Sequence, residues 1–172
     1  MARLLWQQRQ DIGPPARIGA AMVYMASTAR SLLWGGVDDS NAFGDTWEWD
    51  GEGWVQVEDT GPAPNALVGL AFDSDRNVTV LFTQTDTAWE TWEWDGSAWT
   101  QVDDSGPQAA QGIFQMVYDR ARQVTVLEGG AVENGPTQPA PVGTWVWDGS
   151  TWTQVADVGP PQRGYSTLGY DA

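Results

Sequence analysis

Thr46-Trp47-Glu48-Trp49-Asp50-Gly51 is the first of three near-copies of one hexapeptide. The others are Thr91-Trp92-Glu93-Trp94-Asp95-Gly96 and Thr144-Trp145-Val146-Trp147-Asp148-Gly149. Aromatic and polar residues alternate in the first two copies, and Val146 takes the polar position in the third. This alternation has the period of a β-strand and places both indoles on one face. The Asp-Gly pair is typical of a tight turn because glycine accepts a positive φ. Each copy therefore predicts a hairpin. Its second strand is a segment rich in aromatic and β-branched residues that begins at Trp54, Trp99 or Trp152.

A Gly-Pro pair marks the same unit independently. It occurs at 13–14, 61–62, 106–107 and 159–160, at intervals of 48, 45 and 53 residues. Four tryptophans repeat at the same intervals, namely Trp6, Trp54, Trp99 and Trp152. Two markers in one register indicate a structural repeat of about 45–50 residues.

Two further apolar segments precede the hexapeptide in each unit. The first ends at an aromatic residue, such as Phe72 or Tyr118, and the second is β-branched or leucine-rich, as at 78–82. Turn signals separate the segments, and no helical period occurs. Four short strands in such a repeat predict propeller blades, or another all-β repeat array. We expect one domain over 1–172, with blades at about 13–60, 61–105 and 106–158 and partial strands at 4–10 and 159–172.

The order of these motifs resembles that of kelch repeats. Gly35-Gly36 and Gly129-Gly130 match the diglycine that ends the second kelch strand. Asp45-Thr46-Trp47, followed by Trp54, matches the kelch strand that carries Asp-Thr-Trp or Asp-Thr-Tyr and the tryptophan downstream of it. Thr83-Gln84 replaces the diglycine in the middle unit. The resemblance covers nearly the whole chain. It implies an all-β, kelch-like β-propeller of four-stranded antiparallel sheets that serves binding or scaffolding.

The predicted blade count leaves two sheet faces without a neighbour. Closed propellers usually have four to eight blades, whereas this sequence supplies three full blades plus one extra strand at each end. Exposed sheet edges and apolar faces tend to find a partner. We therefore expect self-association, as a homodimer, to close the ring. A structural fragment of a larger propeller explains the same count and stays an alternative.

The composition argues against several functional classes. The chain of 172 residues has 8 basic residues, all Arg, against 23 acidic ones, and a net charge of −15. Such a charge repels phosphates and anionic membranes, so we expect neither nucleic acid nor a membrane as partner. Without Cys or His there is no Ser-His-Asp triad, no cysteine nucleophile and no usual zinc site. We recognise no signal peptide near the N-terminus, and the localisation is left open.

The favoured function is a non-catalytic module that binds a protein or a carbohydrate through its loops, or acts as a scaffold. The alternative is a carbohydrate-active or epimerase-like enzyme with arginines and carboxylates at the propeller mouth. The candidate binding residues for such a site are Arg17, Arg163, Glu90 and Glu128. The sequence assigns no catalytic residue, so an enzyme is the less favoured interpretation.

The loop 38–45 concentrates hard oxygen ligands. Asp38, Asp39, Asn41 and Asp45 lie close together in it, and calcium prefers carboxylate and amide oxygens. The spacing does not match a helix–loop–helix calcium site. Calcium is thus the one cofactor that the sequence suggests.

Overall fold

The structure is a computed structural model that describes residues 13–66, 68–85, 88–107, 113–131, 143–156 and 168–170. Strands and turns, without a helix, make up these ranges. The first sheet contains β1 (Ala21–Met25), β2 (Arg30–Trp34), β3 (Thr46–Trp49) and β4 (Trp54–Glu58). The second contains β5 (Val68–Asp73), β6 (Val78–Gln84), β7 (Trp89–Trp94) and β8 (Trp99–Asp103). The third contains β9 (Ile113–Asp119), β10 (Val124–Ala131), β11 (Thr144–Trp147) and β12 (Trp152–Ala156).

Each sheet is an antiparallel meander whose strands follow chain order. The predicted all-β fold with three four-stranded antiparallel sheets is therefore confirmed. The predicted partial strand at 4–10 lies outside the described residues. Of the predicted segment 159–172, only 168–170 is described, and it carries no strand.

The hexapeptide forms the third strand of each sheet, and the Trp-led run forms the fourth. Two tryptophans face each other across the turn in every copy, with ring centroids 5.5–5.6 Å apart. The Asp-Gly turns have glycine φ values of 102°, 100° and 97° at Gly51, Gly96 and Gly149. The predicted hairpins are therefore confirmed in all three copies.

The turns between the first and second strands also repeat. Each spans four residues, and the last of them has a positive φ: 54° at Ala29, 59° at Asn77 and 58° at Gln123. Asparagine tolerates this left-handed conformation better than alanine or glutamine does. The backbone shape is thus maintained in all three units, although only the middle one has a residue suited to it.

The sheets pack side by side through their first strands and their broad faces. β1 packs against β5, and β5 packs against β9. Apolar side chains of neighbouring sheets fill the space between them. The first cluster includes Leu32, Trp34, Leu81, Trp94 and Trp99. The second includes Val80, Phe82, Met116, Leu127 and Trp147. The core therefore lies between consecutive sheets, as expected of a propeller, and burial of these large side chains drives their association.

A tryptophan at the start of the fourth strand bonds the preceding sheet in the second and third sheets. Trp99 Nε1 donates to Thr46 Oγ1, and Trp152 Nε1 donates to Thr91 Oγ1, both at 2.8 Å. Thr46 and Thr91 are fully buried. The bonds therefore satisfy two hydroxyls that water cannot reach.

The Gly-Pro pairs pack against these same tryptophans. A Cβ built on Gly61 would lie 2.9 Å from Cβ and Cδ1 of Trp99. The equivalent contacts join Gly13 to Trp54 at 3.0 Å and Gly106 to Trp152 at 3.1 Å. This close approach requires glycine, and it explains why the two sequence markers keep one register.

Candidate functional site

A cavity of about 320 Å³ lies between the first and second sheets. The first sheet contributes Met25, Thr28, Arg30 and Glu48, and the second contributes Phe72, Asn77, Trp94 and Gly96. Two other cavities have fewer buried polar groups. One of about 440 Å³ lies along the first strands and is mainly apolar, and one of about 470 Å³ lies beside Trp145 and Trp152. The first cavity is distinguished by a charged pair and a buried indole, so it is the candidate site.

Arg30 and Glu48 form the charged pair. Arg30 Nη1 donates to Glu48 Oε2 at 2.7 Å, and the side chains are 43% and 9% exposed. Glu48 lies two residues after Thr46 on β3, so both side chains are on the face of the strand that is turned toward the second sheet. The hydrogen bond from Arg30 to Glu48 raises the pKa of the guanidinium above its ordinary value. The cavity therefore holds a permanent cation fixed against a carboxylate.

Trp94 lines the same cavity and is 1% exposed. Its Nε1 has no hydrogen-bond partner among the described residues. The equivalent Trp147 donates its Nε1–H to Glu93 Oε1 at 3.2 Å in the next pair of sheets. Glu48 holds the position of Glu93, and it accepts a hydrogen bond from Arg30 but none from Trp94. A buried unsatisfied donor costs about 1–3 kcal/mol. The Trp94 Nε1 has almost no accessible surface, so the ring of Trp94 lines the cavity while its N–H is covered by the protein.

Arg17, one of the predicted binding residues, is part of the structural framework. Its guanidinium donates to both oxygens of Asp45 at 2.5 and 3.0 Å and to the carbonyl of Gly35 at 3.0 Å. It also lies 4.0 Å from the centre of the Phe43 ring, and its side chain is 4% exposed. Burial would raise the pKa of Asp45, but hydrogen bonds from Arg17 and Trp47 outweigh burial and lower it. These contacts hold the segments that flank the first sheet.

The two predicted glutamates, Glu90 and Glu128, make their own contacts away from Arg17. Glu90 accepts a hydrogen bond from Trp92 Nε1 at 2.8 Å, and Glu128 lies on β10 opposite Gln115. No hydrogen bond or ion pair in the described part of the chain links Arg17 to either glutamate. Arg163 lies outside the described residues. The predicted group at a propeller mouth therefore stays a prediction.

The predicted calcium ligands are engaged in local contacts. Asp38 Oδ1 accepts the backbone N–H groups of Ser40 and Asn41 at 2.8 and 2.7 Å, and these bonds lower the pKa of Asp38. Asp45 is bonded to Arg17. Within the described ranges no three Asp, Glu, His or Cys side chains lie together in a group that could hold a metal ion. The calcium site with Asp38, Asp39, Asn41 and Asp45 stays a prediction.

The sequence contained one signal for the cavity. Arg30 stands where the other two units have Val78 and Val124, so a charged residue replaces an apolar one at the start of a strand. The repeat pattern alone does not single out this exception, because Glu48 and Trp94 belong to the regular hexapeptide.

The sheet arrangement has a counterpart among solved structures. A fucose lectin from Kordia zhangzhouensis, solved in complex with methyl-fucoside, superposes with a TM-score of 0.50 at 17% sequence identity. The superposition covers 84% of this chain and 100% of the lectin chain. The arrangement is β-propeller-like. At this identity the similarity supports the fold alone, and each sheet is called a blade below.

No protein-family model matches the sequence, and no curated protein matches it. The kelch-type resemblance therefore stays a prediction. Among the described residues no helix has the length and apolarity needed to cross a membrane.

Proposed function

We propose that the chain is a non-catalytic carbohydrate-binding module, and that the cavity between the first two blades holds one sugar residue. The observation that carries the proposal is the Arg30–Glu48 pair beside the indole ring of Trp94 on the wall of one cavity. The volume of about 320 Å³ lies at the lower end of the roughly 300–1,000 Å³ typical of small-molecule pockets.

The residues around the cavity suit a ligand with several hydroxyl groups. A sugar hydroxyl can accept a hydrogen bond from Arg30 and donate one to Glu48 at the same time. The indole ring gives an apolar face to the C–H groups of the sugar, and the ion pair holds the guanidinium in place before the ligand arrives. The fucose lectin with the similar fold binds a methyl-fucoside, and it suggests the first sugars to test.

The same contacts favour binding over catalysis. Glu48 is paired with a guanidinium. Asp95, which also lines the cavity, accepts the backbone N–H groups of Ser97 and Ala98. Hydrogen bonds from the turn, with that of Ala98 the largest contribution, lower the pKa of Asp95. A general acid at neutral pH needs a raised pKa instead. The sequence also lacks His and Cys.

A titration with a panel of methyl glycosides tests the proposal. The indole N–H signals are followed by two-dimensional NMR, and affinities are measured by calorimetry. We expect a saturable shift of the Trp94 signal and a loss of binding in Glu48→Gln. Asp39→Asn removes the same charge from an exposed loop residue and should bind like the unchanged protein. If Glu48→Gln binds as well as the original protein, or no glycoside moves the Trp94 signal, the proposal is wrong.

A second proposal concerns assembly: copies of the chain associate to complete the propeller. Met22 on β1 is 62% exposed, whereas the equivalent Leu70 and Met116 on the next two blades are each 8% exposed. Tyr24, two residues further along β1, is 58% exposed. The inner strand of the first blade thus presents apolar surface that neighbours cover elsewhere. Light scattering should give a dimer of the 18.8 kDa chain, which Met22→Glu weakens. A monomeric mass at all concentrations would exclude this assembly.

A further inference from the structure

The junction between the second and third blades has the same framework as the junction that holds the cavity. Glu93 and Trp147 stand at the positions of Glu48 and Trp94. In this second junction the indole N–H of Trp147 donates to Glu93 at 3.2 Å. The carboxylate and the aromatic wall are therefore common to both junctions, and the difference lies in the turn between the first and second strands.

Arg76 occupies this turn where the first junction has Thr28. Its Nε donates to Asp73 Oδ2 and its Nη1 donates to Glu93 Oε1, both at 2.7 Å. Burial would lower the pKa of Arg76, but its bonds to Glu93 and Asp73 outweigh burial and raise it. A charged guanidinium is thus held between two carboxylates at this junction.

The guanidinium of Arg76 also reaches the third blade. A Cβ built on Gly149 would lie 3.0 Å from Arg76 Cζ. The equivalent glycine of the first junction is Gly96, which lines the open cavity and has no described atom within 4 Å of its built Cβ. The space that is open at the first junction is therefore occupied by Arg76 at the second.

More polar residues also distinguish the second junction. Asp73, Asp75 and Tyr118 replace Met25, Ser27 and Phe72 at the equivalent positions. Burial, together with the neighbouring carboxylates of Asp73 and Asp75, raises the pKa of the Tyr118 hydroxyl, and Gln123 Nε2 donates to Asp75 at 3.0 Å. A connected polar network thus stands where the first junction has a cavity.

We propose that Arg76 is a built-in occupant of a second, latent sugar site, where its guanidinium takes the place of a ligand beside Glu93 and Trp147. This inference rests on the proposed function of the first cavity. Of the two described junctions, only the first then accepts a free sugar. Arg76, together with the polar residues around it, decides that the second junction is closed.

Exchanging the turn residues between the junctions tests the inference. Asp73→Met, Arg76→Thr and Val78→Arg together copy Met25, Thr28 and Arg30 into the second junction. With a glycoside that the unchanged protein binds, calorimetry should show one additional site per chain, and the Trp147 indole signal should shift. The reverse pair, Met25→Asp with Thr28→Arg, should weaken binding at the first cavity by about tenfold or more, equivalent to about 1.4 kcal/mol.

A measurement without sugar examines the occupied space directly. Arg76→Ala leaves room for a free guanidinium group beside Asp73 and Glu93. Millimolar methylguanidinium chloride should therefore raise the melting temperature of Arg76→Ala, relative to the same concentration of sodium chloride, and should not raise that of the unchanged protein. This readout requires neither the triple variant nor a known ligand.

The outcomes separate the inference from the proposed function. If the unchanged protein binds a glycoside but the folded triple variant gains no site and its Trp147 signal is silent, the inference is wrong and the proposed function stands. If no glycoside binds the unchanged protein, the proposed function fails, and the latent sugar site fails with it. A missing methylguanidinium effect on Arg76→Ala shows that Arg76 fills no binding space, and this also overturns the inference.

Discussion

Replacing Thr46 by valine should weaken the junction between the first two blades. The Thr46 hydroxyl accepts the indole N–H of Trp99 at 2.8 Å, and the two residues are 0% and 8% exposed. Valine has nearly the shape of threonine, so the substitution removes the acceptor with little change in packing. The Trp99 N–H would then stay buried without a partner.

The magnitude follows from that orphaned donor. A buried N–H that loses its partner costs about 1–3 kcal/mol. In a domain of this size the melting temperature should fall by roughly 2–4 °C for each kcal/mol. The higher strand propensity of valine offsets a small part of the loss.

Urea denaturation followed by tryptophan fluorescence measures the effect, with the slope used to check that the unfolded state is unchanged. Thr144→Val is a matched control, because Thr144 is the equivalent residue of the third blade and is partly exposed. No described indole donates to it, so the control should change stability by less than about 0.5 kcal/mol. The NMR signal of the Trp99 N–H should move only in Thr46→Val.

A double-mutant cycle completes the test. Combining Thr46→Val with Trp99→Phe removes both the acceptor and the donor, and the coupling energy should be about 0.5–1.5 kcal/mol. Equal losses in Thr46→Val and Thr144→Val would show that the indole–hydroxyl bond does not hold neighbouring blades together.

Three further predictions concern the turns. Gly61→Ala should destabilise by about 1–3 kcal/mol more than Gly96→Ala, because both have positive φ but only Gly61 lies against an indole, at 2.9 Å; equal urea midpoints would contradict this. Ala29→Asn should stabilise by about 0.5–1 kcal/mol and Asn77→Ala should destabilise by a similar amount, since both positions have left-handed backbone; thermal unfolding measures both, and opposite signs would refute the reasoning. Hydrogen bonds from turn N–H groups lower the pKa of Asp95 in the folded protein. The stability that the Asp95 carboxylate contributes is therefore complete above its unfolded pKa of about 3.9, and it is lost as the pH falls through the folded pKa. Asp95→Asn should therefore lose less stability than the unchanged protein between about pH 5 and 3, and parallel pH profiles would exclude this role.

The fold could be predicted because its sequence markers contact one another. Gly61 packs on Trp99 and Gly106 packs on Trp152. The contact fixes the number of residues between the two markers, because a change in one position would break the packing with the other. Strand ends were less predictable. The sequence predicted that the second strand of the third unit would end at Gly129-Gly130. In the structure β10 continues through this diglycine to Ala131. A register shift between Gly129 and Ala131 accommodates the diglycine within the strand.

The cavity was not predictable from the repeat pattern, because it arises from departures from that pattern. Thr28 is small where Arg76 is large, and Arg30 is charged where the other units have valine. The ion pair of Arg17 with Asp45 in a nearly buried position was not predictable either, because the sequence does not show that these residues meet. Arg17 as a binding residue stays a prediction.

The indole-to-threonine bonds all run in the same direction along the chain, from the start of a fourth strand back to the unit before it. A unit with its indole donor on one side and its threonine acceptor on the other can bond a copy of itself in head-to-tail order. An inverted copy would place donor against donor and acceptor against acceptor. A gene segment of one period can therefore be duplicated or deleted and still leave every seam complementary. Tandem gain or loss of whole units is the evolutionary change that this architecture tolerates best.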